Sequence, residues 1–287
     1  MIARAAAWFE EHEQQGRMQG VFFLLHPGPS LLVTIVFVAV VALAAHAFPA
    51  PARLLQLIGV MLPVQFTIGI VNDLADARAD AASKPYKPLV RGAVRRDAGV
   101  VIAIALGVLG VALAFTVGLV TGIIVCAGLG AGLLYDLGLR RTVLSWLPWW
   151  IGFTALPLAA FAAANRLTLA LLLVVPLALL ASLSLHCANA LPDIDADRST
   201  NQVSLPVRLG SRASRGLALG SLAAAAVVVG ISSVGVSDGT RWLLVGEALV
   251  TLLVVMSVRA RRTARPFPPM AAATALLAMT WLAAALG

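Results

Sequence analysis

Long apolar stretches alternate with short polar segments along almost the whole chain. Each apolar stretch holds roughly 20 residues, which as a helix spans the hydrocarbon core of a bilayer, about 30 Å. The pattern therefore predicts an all-α, polytopic membrane protein with nine transmembrane helices. The predicted spans are 29–48, 54–71, 99–117, 119–136, 143–163, 168–190, 213–233, 241–258 and 268–286.

The third and fourth spans are divided by a predicted turn. The chain runs from Gly99 to Tyr135 without a charged residue, and one helix of that length would overshoot the membrane. A tight turn near 116–118 is therefore required. Ahead of the first span, residues 1–25 lack the features of a signal peptide and are predicted to form an interfacial helix.

Composition supports lipid as the main solvent, because 60% of the residues are hydrophobic and only 12% are charged. With nine spans and a cytoplasmic N-terminus, 18 of the 21 Lys and Arg residues fall on the cytoplasmic side. The exceptions are Arg53, Arg166 and Arg241. This asymmetry predicts an inner or plasma membrane protein with its basic loops against an anionic leaflet. The net charge of +8 then requires no nucleic-acid partner; a basic groove is the minor alternative.

Two acidic motifs, N-D-L-A-D-A-R-A-D at 72–80 and N-A-L-P-D-I-D-A-D at 189–197, follow the second and sixth spans. In each, an Asn is followed by Asp at plus four and plus eight, a spacing that places the three side chains on one face of a helix. The residues with this spacing are Asn72, Asp76, Asp80, Asn189, Asp193 and Asp197.

The repeated motif also predicts the architecture. We expect one domain over 1–287, in which two pseudo-repeated four-helix halves and one further helix surround a central cavity. The first half covers 29–136 and the second covers 143–286, which includes the added C-terminal helix.

Like charges on one helix face repel each other, so a cation should compensate them. Carboxylate and amide oxygens suit Mg²⁺, which commonly completes its coordination with phosphate oxygens. The six residues are therefore candidate metal ligands, with the four aspartates as candidate catalytic residues. Asp73 lies near the first face and joins the candidate ligands, whereas Asp195 should point away into solvent. The alternative is that both motifs are merely solvated helix ends.

The loop S-K-P-Y-K-P-L-V-R-G at 83–92 follows the first motif, and its prolines should end the helix. Its cations Lys84, Lys87 and Arg91 are candidate diphosphate ligands. The alternative is that they only reflect the enrichment of basic residues in cytoplasmic loops.

These motifs resemble the UbiA superfamily of intramembrane prenyltransferases: N-D-x-x-D-x-x-x-D followed by K-P-x-K-P-L-x-x-G, then N-x-x-x-D-x-x-x-D late in the sixth span. Y-D-L-G-L-R-R-T at 135–142 and H-P-G-P-S at 26–30 resemble further elements of the same family. The resemblance covers nearly the whole chain and implies Mg²⁺ as cofactor and a prenyl diphosphate as substrate.

Carried over to this chain, the resemblance implies roles for individual residues. Lys84 and Arg140 would hold phosphate oxygens, and Tyr135 would line the cavity. Many relatives have a basic stretch after the second motif, where this chain has Asn201, Gln202, Val203 and Ser204. A basic contact to the diphosphate would then come from Arg198 or Arg208. The metal ligands implied by the family are Asn72, Asp76, Asp80, Asp193 and Asp197.

The expected activity is ionisation of an allylic prenyl diphosphate and transfer of the prenyl group to an aromatic, quinone-precursor or other lipid-precursor acceptor. One alternative is a terpene cyclase of the same family, which needs no acceptor. A transporter is a rival from another class, because repeats and intramembrane acids such as Glu247 also occur in carriers. The sequence pattern leaves chain length, acceptor and oligomeric state open.

Overall fold

The computed structural model describes residues 16, 18–199, 202–232, 237–260 and 265–284, and every regular element within these ranges is a helix. Among these residues, eight helices are long and apolar enough to cross a membrane. The predicted all-α membrane fold is therefore confirmed.

The bundle contains nine long helices within the described ranges. They are α1 (Pro27–Ala45), α2 (Pro51–Ser83), α3 (Arg96–Val117), α4 (Leu119–Leu137), α5 (Leu147–Ala163), α6 (Val174–Ala190), α7 (Leu205–Ser232), α8 (Asp238–Ala260) and α9 (Phe267–Ala284). A short helix, Ile194–Ser199, follows α6, and 3-10 turns occupy Leu139–Arg141 and Leu169–Leu173.

Helices α5 and α6 have 17 residues each; α6 reaches 22 residues with the preceding 3-10 turn, whereas α5 is not among the eight long apolar helices. The count of nine membrane spans therefore stays a prediction. Residues 18–24 are helical, but the remainder of the predicted interfacial helix before residue 16 lies outside the described residues.

The helix boundaries differ from the predicted spans in two informative places. Helix α2 begins with Pro51, whose fixed φ suits a first helical turn, and runs for 33 residues through the whole first acidic motif. Helix α7 begins at Leu205, well before the predicted span, and is kinked at Gly210, where φ is +75°. The turn predicted near 116–118 is confirmed, because α3 ends at Val117 and α4 begins at Leu119.

The largest group of buried residues joins helices from the beginning and the end of the chain, including Phe37, Phe161, Val229 and Trp281. Since lipid is about as apolar as these side chains, close packing contributes more here than transfer out of water. Gly110 shows how close this packing is: a Cβ there would lie 2.9 Å from the Val60 carbonyl oxygen, so α2 and α3 meet through a glycine.

Candidate active site

The first acidic motif lies on the last turns of α2, because the helix continues to Ser83 before the prolines of the following loop end it. The backbone N–H of Lys84 donates to the Asp80 carbonyl and closes the final turn. This geometry keeps Asn72, Asp76 and Asp80 at helical spacing on one face, as predicted.

Asp76 is held by Arg140, which lies in the 3-10 turn after α4. The guanidinium donates two hydrogen bonds, Nη1 to Oδ2 at 2.8 Å and Nη2 to Oδ1. This pairing with Asp76 raises the pKa of Arg140 further above its ordinary value. The forked geometry favours a carboxylate here and would equally suit a phosphate.

Asp73 and Asp80 share the ammonium group of Lys87. Lys87 Nζ lies 2.7 Å from Asp73 Oδ1 and 2.5 Å from Asp80 Oδ2. Burial works to lower the pKa of Lys87, but the hydrogen bonds to the two carboxylates outweigh it and leave the pKa raised. Lys84 Nζ approaches Asp80 at 3.2 Å, and His26 Nε2 lies 3.1 Å from Asp73 Oδ2.

All three aspartates of the first motif are thus paired with cations or with a histidine. The loop after α2 and the turn after α4 supply the basic side chains that face these carboxylates, and such side chains can also bind phosphate.

Asn72 contacts a residue that the sequence analysis did not select. Its Nδ2 donates to Asp136 Oδ1 at 2.8 Å. Asp136 is 5% exposed, and its Oδ2 has no hydrogen-bond partner among the described residues. The available signal was an acidic residue at the end of an otherwise apolar span, four positions before Arg140.

A cavity of about 350 Å³ opens beside these residues, between α1, α2, α4 and α5. Tyr135 and Trp149 line it with their rings in an edge-to-face arrangement, 6.4 Å apart. The polar lining includes His26, Gln65, Asn72 and Asp136. The cavity thus has polar groups near the acidic end of α2 and aromatic and aliphatic walls elsewhere.

The second acidic motif does not lie on one continuous helix, and the prediction that its three residues share a helix face is wrong. Helix α6 ends at Ala190, the turn contains Asp193, and Asp197 lies on the short helix. Pro192 explains the break, because it lacks an N–H and its ring clashes with the carbonyl four residues earlier. The two motifs are therefore not equivalent in structure.

Within the second motif, Asp197 is the partly buried acid. Its Oδ1 accepts a hydrogen bond from Gln202 Nε2 at 3.0 Å. Burial, followed by the charge of Asp193, raises the pKa of Asp197. Asn189 and Asp193 are exposed, and the Asp195 side chain is 90% exposed, as expected for a solvated residue.

Two contacts bring the second motif to the same end of the bundle as the first. The N–H of Val203 donates to the Arg141 carbonyl at 3.2 Å, and the N–H of Leu205 donates to Ser145 Oγ at 3.1 Å. The first of these contacts is made to the turn that carries Arg140, the partner of Asp76. The second motif is therefore tied to the same turn as the first.

The remaining predicted diphosphate ligands form no ion pair with the aspartates of α2 within the described ranges. Arg198 Nη2 donates to the Val207 carbonyl at 3.2 Å. Arg91 and Arg208 are exposed, and neither has a side-chain hydrogen bond or ion pair within the described ranges. Asn201 lies outside the described residues, while Ser204 is buried. Arg140, Lys84 and Lys87 are thus the basic side chains that contact the acidic face.

Together, the helical membrane bundle and the acid-and-cation site define an intramembrane enzyme. The sequence profile of the UbiA prenyltransferase family matches residues 31–286. The chain belongs to this family and is a prenyltransferase.

Individual relatives agree with this assignment. The chain is 28% identical over 248 residues to digeranylgeranylglyceryl phosphate synthase of Methanoregula boonei, covering 84% of this chain and 85% of that protein. A solved structure of a digeranylgeranylglyceryl phosphate synthase superposes with a TM-score of 0.77 at 13% identity, covering 94% of this chain and 99% of the other. A UbiA homologue from Archaeoglobus fulgidus bound to GPP and Mg²⁺ has a TM-score of 0.72 at 15% identity, covering 93% and 99%. These structural likenesses show the shared fold.

Proposed function

We propose that this protein is a Mg²⁺-dependent prenyltransferase that ionises an allylic prenyl diphosphate and transfers the prenyl group to a lipid-precursor acceptor. The observation that carries the proposal is the pairing of Asp76 and Asp80 with Arg140, Lys84 and Lys87 beside an apolar-walled cavity. The two carboxylates would bind the metal. The basic side chains released from them would bind the diphosphate.

The donor set fits Mg²⁺ shared with a phosphate ligand. Within the described ranges, no three His, Cys, Asp or Glu side chains form a group that could hold a metal by themselves. Mg²⁺ usually uses only one or two protein carboxylates and takes its other oxygens from water and phosphate. Asp76 and Asp80 with the Asn72 amide would hold one ion, and Asp193 with Asp197 would hold a second. When bound, Mg²⁺ supplies positive charge that stabilises the departing diphosphate.

Other side chains of this protein would bind the diphosphate and stabilise the carbocation. Arg140, Lys84 and Lys87 would exchange their carboxylate partners for diphosphate oxygens and stabilise the negative charge that develops on the leaving group. The allylic C–O bond breaks, the diphosphate leaves with the electron pair, and the acceptor attacks the cation and loses a proton. The Tyr135 and Trp149 rings would exclude water and stabilise the cation through their faces.

The acceptor class is the finer part of the proposal. The Methanoregula boonei relative is named for a prenylated glyceryl phosphate product, which favours a lipid precursor with a hydroxyl group over an aromatic ring. A terpene cyclase that acts on the prenyl chain alone is the second candidate, supported by the loss of the basic stretch at 201–204. The active-site face is proposed to be cytoplasmic, because the basic loops lie at this end.

A product assay separates the two candidates. Purified protein is incubated with Mg²⁺ and geranyl, farnesyl or geranylgeranyl diphosphate, with and without a monoprenylated glyceryl phosphate. We expect a diprenylated product only when the acceptor is present. A terpene hydrocarbon or alcohol formed at the same rate without an acceptor would overturn the transferase assignment in favour of cyclisation.

A further inference from the structure

Asp136 is a buried carboxylate beside the proposed metal site, and its partner indicates what it does. One oxygen, Oδ1, accepts a hydrogen bond from Asn72 Nδ2 at 2.8 Å, and the two residues are 64 positions apart in the chain. Both line the same cavity. This contact is therefore built by the packing of α4 against α2 at the acidic end of the cavity.

The contact determines which end of the Asn72 amide faces Asp136. Asn72 Nδ2 donates to Asp136 Oδ1, so the NH₂ group faces Asp136 and the carbonyl oxygen is turned away from it. Without this partner, the two orientations of the amide would be nearly equivalent in shape. A carbonyl oxygen can bind a metal, whereas an NH₂ group cannot.

Residues of the proposed site surround Asp136. His26, which lies beside Asp73, lines the same cavity as Asp136 and Asn72. Arg140, four positions further along the chain, pairs with Asp76. Asp136 Oδ2, buried without a partner among the described residues, remains able to accept one more hydrogen bond.

We propose that Asp136 is a positioning residue that fixes the amide of Asn72 so that its carbonyl oxygen serves the Mg²⁺–diphosphate site. The inference rests on the proposed function. Hydrogen bonding to a carboxylate also increases the negative charge on the amide oxygen, as outer partners commonly do for metal ligands. Asp136 therefore acts on the metal through Asn72.

The test measures metal binding, not turnover. Mn²⁺ replaces Mg²⁺, and its EPR signal is titrated on the full-length purified protein with geranyl S-thiolodiphosphate, which resists ionisation. If the wild-type protein shows no diphosphate-dependent Mn²⁺ binding, the proposed function itself fails. If it binds, the comparison of variants tests Asp136 alone.

We expect Asp136→Leu to weaken Mn²⁺ binding by about ten- to a hundredfold, the range found when an outer partner of a metal ligand is lost. Asp136→Asn should restore binding to within a few fold, since its amide oxygen can still accept from Asn72. Asp97→Leu, which removes an exposed carboxylate at the start of α3, is the matched control and should bind like the wild type. Wild-type affinity in Asp136→Leu would overturn the inference.

A double-mutant cycle tests whether Asp136 acts on the metal through Asn72. If Asp136 acts through Asn72, the Asn72→Ala/Asp136→Leu protein should bind Mn²⁺ no more than about twofold worse than Asn72→Ala alone. Fully additive losses would show that Asp136 acts independently of Asn72 and would overturn the proposed route. Asp136→Ala, which also removes the acceptor of the Asn72 hydrogen bond, replaces Asp136→Leu in both comparisons where the leucine variant does not fold.

Discussion

The Arg140 guanidinium forms a forked, two-bond contact with the Asp76 carboxylate, joining the turn after α4 to the acidic end of α2. In the proposed reaction the two groups bind different ligands: the carboxylate binds the metal, and the guanidinium binds the diphosphate. In this pairing Arg140 lies where a metal would bind Asp76, and Asp76 lies where a phosphate would bind Arg140. This relationship predicts that metal and diphosphate assist each other's binding.

Arg140→Gln should change the affinities for the two ligands in opposite directions. Freed from its partner, Asp76 should bind Mg²⁺ alone more tightly, by roughly tenfold if the lost charged hydrogen bonds contribute about 1.5 kcal/mol. The diphosphate analogue should bind more weakly, because a phosphate contact is lost. Isothermal titration of each ligand, alone and with the other, measures both effects.

Arg141→Gln is the matched control for that experiment. Arg141 is the next residue in the same turn and is exposed; its backbone carbonyl, which binds Val203, is kept in the variant. It should leave both affinities unchanged. Equal shifts in the two variants would mean that general loss of positive charge is responsible, and the exchange of partners at Asp76 would be refuted.

Removing a carboxylate from either acidic motif should abolish turnover. Asp76→Ala and Asp193→Ala are each expected to reduce Mg²⁺-dependent diphosphate release by about 100-fold or more, the scale on which electrostatic stabilisation of a transition state acts. The proteins should still be folded and inserted in the membrane. Phosphate-release assays on purified protein measure the loss.

Asp195→Ala is the comparison for the second motif. Its side chain is 90% exposed and 3.9 Å from Arg198, so its loss should reduce the rate no more than about twofold, as for most exposed ion pairs. Wild-type turnover in Asp193→Ala, or an inactive Asp195→Ala, would contradict the assignment of ligands in the turn after α6.

Chelation should stop the reaction without unfolding the protein. EDTA is expected to abolish diphosphate release, and Mg²⁺ in excess should restore it. The helical circular dichroism and the unfolding temperature should hardly change, because Lys87 and Arg140 form ion pairs with the acidic face. A large fall in unfolding temperature on chelation would instead indicate a structural metal site.

A substitution at Gly69 tests whether the His26 wall of the cavity limits substrate binding. A Cβ at this position would lie 3.0 to 3.2 Å from the His26 ring, and His26 is confined by a backbone φ of +49°. Gly69→Ala should displace the ring into the cavity and raise the KM for the prenyl diphosphate severalfold. Gly130→Ala is the control, since its Cβ would meet nothing within 4 Å. Equal kinetics in the two variants would show that the His26 wall does not limit substrate binding.

The sequence identified features that depend on short-range spacing. The length of the apolar stretches indicated the helices. The Asn and Asp spacing on α2 placed Asn72, Asp76 and Asp80 on one face, because helical geometry relates residues three to four positions apart directly. The same spacing was misleading at 189–197, where Pro192 ends the helix. One local exception was enough to remove Asp193 and Asp197 from a common helix face.

The amino-acid sequence by itself determined the helical membrane fold and the two acidic motifs, since both are encoded in the order of neighbouring residues. Only the tertiary structure decided the partners of those acids: Arg140 for Asp76, Lys87 for Asp73 and Asp80, and Asp136 for Asn72. The Arg140 and Asp136 contacts each join residues 64 positions apart. They depend on how α4 packs against α2, which periodicity within a single helix does not specify.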